Sequence, residues 1–96
     1  MIRYVMNEDI SSILSMMEQV KEAFPGYQEI EFLKALYKAI DCKTAFLEER
    51  EGRLAGMLTF SYQEKELTFL AVVPEFRKQG VGKRLIKRMV ECFAEG

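Results

Sequence analysis

The sequence predicts an α/β (α+β) layered domain with a mixed sheet and elements in the order βααβββα. Three observations carry that reading. Two early segments repeat apolar residues at helical spacing. Three later apolar segments are separated only by short turns, so they form neighbouring antiparallel strands. A basic amphipathic helix closes the chain after a loop that carries Gly80 and Gly82. Helices alternating with such strands pack as layers on a sheet.

The first strand is read over Ile2 to Met6, with Asn7 as helix N-cap and Glu8 and Asp9 in the first turn, where negative charge suits the dipole. Ile10, Ile13, Leu14, Met17, Val20 and Phe24 then define one buried stripe, and Pro25-Gly26 ends the helix. A second helix covers Gln28 to Ile40, with Ile30, Leu33, Leu36, Tyr37 and Ile40 inward and Glu29, Glu31, Lys34 and Lys38 in solvent. Thr44 to Glu48 is the next strand, and Glu51-Gly52 is a hairpin turn. Arg53 to Tyr62 is a longer strand whose Leu54, Leu58, Phe60 and Tyr62 share a face, and Gln63-Glu64-Lys65 turns the chain again.

Residues 66 to 73 are almost continuously apolar, as expected of a strand covered on both faces. Pro74 has no N–H to give, so the ladder stops there. In the last helix Val81, Leu85, Ile86, Met89, Val90 and Phe93 face inward, and Lys83, Arg84, Lys87 and Arg88 lie largely outside. The first amides of that helix lack intrahelical partners and sit at the positive end of its dipole. Lys78, Lys83 and Arg84 add formal charge at the same place. Such a terminus is an anion site, and a phosphate ester suits it. The plain alternative is a strand-to-helix turn that uses glycine for tightness.

Composition narrows the class. The 96 residues make a single domain, residues 1–96, 49% hydrophobic and 30% charged, as in an ordinary globular protein. At this length roughly 60–65% of the unfolded surface is buried on folding, enough for one core. A net charge of −1 argues against wholesale attraction to nucleic acid or an anionic membrane. Cys42 and Cys92 lack metal-like spacing, and there is no histidine, so no metal is expected. Without a signal-peptide pattern or a long apolar run, a cytoplasmic location is the default expectation.

The element order, together with Arg77-Lys-Gln-Gly80-Val-Gly82 after an apolar strand and Pro74, resembles the GCN5-related N-acetyltransferase (GNAT) superfamily. That family's signature is Arg or Gln, two residues, Gly, one residue, then Gly or Ala. The resemblance covers the whole chain and implies an acetyl-CoA-binding domain that acetylates a primary amine. It implies that backbone groups of Leu70, Ala71 and Val72 pair with the pantetheine arm. It further implies that the amides of Lys78, Gln79, Gly80, Val81, Gly82 and Lys83 cradle the pyrophosphate, with Arg77 opening the motif. By charge, Lys83, Arg84 or Lys87 would reach the coenzyme's 3′-phosphate. Glu66-Leu-Thr-Phe69-Leu-Ala71 is similar to the histone-acetylating branch, whose glutamate acts as general base, and this places Glu66 in that role. The bland reading of Glu66 is a solvated carboxylate at a strand entrance.

Family members continue past this helix into a strand, another helix and a closing hairpin; the sequence stops at Ala94-Glu-Gly96 before them, so it is expected to be either a fragment or a naturally minimal chain that completes itself by association. Tyr4, Tyr27, Tyr37 and Tyr62 do not match the tyrosine that protonates the leaving thiolate. The open apolar edge predicted for residues 66–73 leads to an expected homo-oligomer. Two other functions stay open. One is a non-catalytic acyl-CoA-binding or regulatory module, or a truncated acetyltransferase fragment. The other is an interaction domain using the basic helix, which the net charge and Glu91 and Glu95 weaken.

Overall fold

Glu51 and Gly52 both have positive φ, 55° and 73°, with Arg50 opposite Arg53 across the turn. Two left-handed central residues give the turn a twist that matches its flanking strands. That hairpin lies in the middle of the sheet of a computed structural model, which describes residues 1–95. The strands are β1 (Ile2–Tyr4), β2 (Ala45–Arg50), β3 (Arg53–Ser61) and β4 (Glu66–Val72), antiparallel and side by side in sequence order. The helices are α1 (Ile10–Val20), α2 (Glu29–Cys42) and α3 (Val81–Glu95). The predicted element order holds throughout.

Contacts sort the helices onto opposite faces of the sheet. From α3, Arg84 reaches Glu48 and Arg88 lies over the Phe46 ring, 4.9 Å from its centroid. Phe69 of β4 instead meets Phe24 and Phe32, which flank and belong to α2. Neighbouring residues on a strand point to opposite faces, so even-numbered Phe46 and Glu48 face α3 while Phe69 faces α2 and the Phe24 turn before it. The core therefore has a half on each side of the sheet. Leu85, Met57 and Ile13 are fully buried in it. Each large apolar side chain so enclosed contributes roughly 1.5–3 kcal/mol. No helix of the described residues is long and apolar enough to cross a membrane.

Several sequence expectations are corrected. Asn7 is not the cap: Asn7–Asp9 forms a 3-10 turn, and Asp9 precedes α1. Its carboxylate accepts the Met6 N–H at 2.8 Å and a two-pronged bond from Arg3. The helix that Pro25-Gly26 was expected to end closes earlier, at Val20, and a 3-10 turn follows over Lys21–Ala23. Ile30 and Tyr37 are exposed (69% and 51%) because α2 turns Phe32, Leu36, Ala39 and Ile40 toward the sheet. On α3, Ile86 and Val90 are exposed, and Cys92 takes the inward place beside Leu85 and Met89.

The β-strand ladders carry two extra residues. Ala55 of β3 stands between the pairings Glu48↔Gly56 and Glu49↔Leu54, and Thr68 of β4 between Thr59↔Phe69 and Phe60↔Leu67. A bulge shifts the alternation of the strand it interrupts. Leu54 therefore does not simply share a face with Leu58, as strict alternation predicts. Nor is β4 covered on both faces. Among the described residues it pairs only with β3, residues 66–68 are exposed, and Ala71 is its one fully buried residue.

Candidate functional site

The unpaired edge of β4 and the first turn of α3 meet at one end of the sheet. Val73 N–H donates to Ala55 O at 2.8 Å, just past the last β4 pairing, Val72↔Gly56. Along an antiparallel strand the backbone groups alternate sides. The N–H and C=O of Ala71 therefore turn toward β3, and those of Leu70 and Val72 point out over the open edge. Ala71 contributes a buried methyl instead (5% exposed). The bulge at Thr68 lies upstream on the same strand, with its hydroxyl 2.6 Å from that of Thr59. Glu66 is exposed at the strand's beginning, opposite Ser61.

Beyond β4 the chain makes a 3-10 turn at Pro74–Phe76, pinned by the buried Phe76 ring. The Arg53 guanidinium lies 5.1 Å from that ring's centroid and makes two bonds to Glu75, at 2.9 and 2.8 Å. Arg77, Lys78, Gln79 and Lys83 are all exposed around the turn that follows. Lys78 and Gly80 have positive φ, 65° and 79°. The first intrahelical bond runs from Arg84 N–H to Gly80 O at 3.0 Å, so the N–H groups of Val81, Gly82 and Lys83 have no carbonyl behind them in the helix.

The glycines differ in what requires them. Gly80 is demanded by its backbone. Gly82 is not: a Cβ there would meet Leu70 Cδ2 and Val72 Cγ2 at 3.7 and 3.8 Å, ordinary contact. Nothing within the chain itself asks for glycine at position 82, whereas a group lying against the helix start would. Gly56, which the sequence did not mark, sits beneath the site. Its Cβ would fall 2.9 Å from both Ala71 O and Val81 Cγ1, so only glycine lets α3 settle this close to the strands.

Glu48 is the functional-site neighbour that sequence reasoning missed. Its side chain is 2% exposed and receives Arg84 Nε at 2.9 Å and Arg84 Nη2 at 2.7 Å, with Arg50 Nη1 at 3.3 Å. The hydrogen bonds from Arg84 hold its carboxyl below the usual carboxylate range, against the opposing effect of burial. Arg84 Nη1 also donates to Gln79 O at 2.9 Å. Arg84, though exposed, is thus engaged by bonds within the protein, and of the cations expected at the coenzyme's 3′-phosphate, Lys83 and Lys87 are the exposed ones without such bonds to Glu48 and Gln79. An open hollow of about 560 Å³ lies behind this pair, between Met1, Ile2, residues 48–51 and Arg84, and does not include β4.

An open strand edge running into unpaired helix amides offers the donors and acceptors that suit an extended, phosphate-bearing molecule. A sequence profile of the acetyltransferase (GNAT) family matches residues 13–96, and the chain belongs to that family. Similar solved structures include Ard1 from Thermoplasma volcanium, with TM-score 0.77, 19% identity, and coverage of 99% of this chain and 64% of that one. N-acetylglutamate synthase from Neisseria gonorrhoeae, complexed with coenzyme A and N-acetyl-glutamate, aligns with TM-score 0.77 and 22% identity over 99% of this chain and 22% of its own. AAC(6')-Iy in complex with the bisubstrate analogue CoA-S-monomethyl-acetylneamine gives TM-score 0.75 and 19% identity over 95% of this chain and 69% of its own. At such identities the likeness is one of fold. A comparison with curated protein sequences finds no match.

Proposed function

We propose that this chain is an N-acetyltransferase that binds acetyl-CoA along the open edge of β4 and acetylates a primary amine. The single observation that carries the reading is the continuity between outward-facing backbone groups at Leu70 and Val72 and the unpaired amides of Val81, Gly82 and Lys83. The first set pairs with the amide-bearing arm of the coenzyme, and the second takes its pyrophosphate. Lys78 and Lys83 add positive charge beside those amides. Acetyl-CoA supplies a thioester whose acyl carbon the neutral amine attacks; the C–N bond forms, the C–S bond breaks, and coenzyme A leaves as a thiolate that takes up the proton released by the acylated nitrogen. The protein's part is to hold that carbon in place and to remove the amine's proton. An alkylammonium with a pKa near 10 must deprotonate before attack. Glu66 lies roughly 13 Å along the strand from Leu70, beyond the reach of one bridging water, so in this role it takes that proton by relay along a file of several waters.

Calorimetric titration with acetyl-CoA tests the binding step, with Gly82→Asp as the comparison. An aspartate in the first helical turn suits the dipole, so the variant stays folded while its carboxylate takes the place of the phosphate. The parent is expected to bind, and the variant to lose at least tenfold in affinity. A parent that does not bind sinks the reading. Glu66→Gln is expected to bind acetyl-CoA as the parent does but to turn over an amine panel about 10²–10⁴-fold more slowly. Unchanged turnover would remove Glu66 from this role. Binding without turnover of any amine by the parent would assign the chain to the non-catalytic acyl-CoA-binding class.

A further inference from the structure

Resting on the coenzyme reading above, we infer that Glu48 is a positioning residue for the phosphate loop, acting through Arg84 on the Gln79–Gly80 peptide. The side chains form a strut in three joints. Glu48 is anchored on β2 with its side chain 2% exposed. Its two oxygens hold Arg84 as a fork, at 2.9 and 2.7 Å, which fixes the plane of the guanidinium as well as its place. The remaining arm, Nη1, bonds Gln79 O at 2.9 Å.

Peptide planarity turns that last bond into a constraint on the ligand side. The C=O of residue 79 and the N–H of Gly80 belong to one rigid plane and point in opposite directions. Pulling the carbonyl toward Arg84 drives the Gly80 N–H away from it, outward from the turn. Gly80 reaches this geometry at φ 79°, which a non-glycine residue adopts only with strain. The strut thus presets one donor of the anion cradle before any anion arrives, and preorganisation of this kind strengthens binding without a new contact.

Charge supports the same assignment. A free arginine beside the loop would act as a phosphate ligand in its own right. Here the nearest carboxylate is buried against it, so Arg84 contributes geometry more than net field. Arg50, 3.3 Å from the same carboxylate, steadies it from β2.

The test replaces both ends of the strut at once. Removing Arg84 alone would strand a buried carboxylate and threaten the fold, whereas exchanging both partners for apolar residues of similar size is often neutral or stabilising. The double variant Glu48→Leu/Arg84→Met also leaves the net charge unchanged. It is titrated with acetyl-CoA and with S-acetylpantetheine, which carries the same thioester and arm but no pyrophosphate. The expected result is a melting temperature within a few degrees of the parent, at least tenfold weaker acetyl-CoA binding, and unaltered affinity for S-acetylpantetheine. In the ligand-free variant the Gly80 amide proton resonance should shift away from its parent position. Parent-like acetyl-CoA affinity, or equal loss for both ligands, overturns the positioning role while leaving the coenzyme reading intact. A parent that binds neither ligand overturns the coenzyme reading itself, and the positioning role with it.

Discussion

Gly56→Ala is expected to lower the stability of this domain by about 1–3 kcal/mol, although it adds a single methyl group. Thermal unfolding followed by circular dichroism should read this as a drop of several degrees, since each kcal/mol moves the midpoint of a domain this small by about 4–8 °C. The reason is the absence of room. The new Cβ would lie 2.9 Å from the backbone oxygen of Ala71 and from Val81 Cγ1. The first is strand backbone and cannot rotate away, and the second is the first residue of α3. Replacing glycine ordinarily helps a strand by roughly 0.5–1 kcal/mol, so the loss is net of that gain. Relief of the clash would push β4 and α3 apart at the place where the coenzyme is proposed to bind, so acetyl-CoA affinity should fall as well. For stability, Gly82→Ala is the internal control, because its Cβ makes only ordinary contacts within the chain. A Gly56→Ala variant as stable as the parent would show that β4 and α3 shift there at little cost.

Arg84→Met alone is expected to lower the melting temperature at pH 7 on the order of 5–10 °C, because it leaves the Glu48 carboxylate buried with only Arg50 beside it. The pH dependence identifies the cause. In the parent, Glu48 has its folded pKa pressed below the ordinary 4.5, chiefly by hydrogen bonds from Arg84. Its contribution is therefore fully present above pH 4.5 and is lost as the pH falls through the lower folded value. In the variant, burial without the guanidinium pushes the same carboxyl upward, so ionised Glu48 opposes folding at neutral pH and ceases to do so once protonated. The gap between parent and variant should thus be widest near neutrality and shrink on acidification. A gap independent of pH would mean that the methionine disturbs packing and that the charge pair is not responsible.

Much of this architecture was legible because its causes are local. A left-handed dipeptide at Glu51-Gly52 fixed a hairpin, and Pro74 marked the strand's exit. Arg77, Gly80 and Gly82 stood at the family's spacing in a strand–loop–helix setting. What escaped was non-local. Arg84 reads as one more outward cation on an amphipathic helix, and its partner lies 36 residues earlier on a strand whose next residue, Glu49, is also acidic. No spacing rule links such positions. The bulges at Ala55 and Thr68 left no signal either, since each breaks an alternation that apolar residues on both faces already obscure. Ile30 and Tyr37 fit a helical stripe, and only the docking of α2 decides which of two overlapping stripes turns inward.

The bare edge of β4 would, on the proposed reading, link coenzyme binding to self-association. Backbone groups at Leu70 and Val72 that can pair with a coenzyme's arm can equally pair with a strand from a second copy. The two guests exclude each other on one edge. On the proposed reading, acetyl-CoA held there would cap the edge against self-association, and by mass action that protection would grow with the logarithm of coenzyme concentration above its dissociation constant.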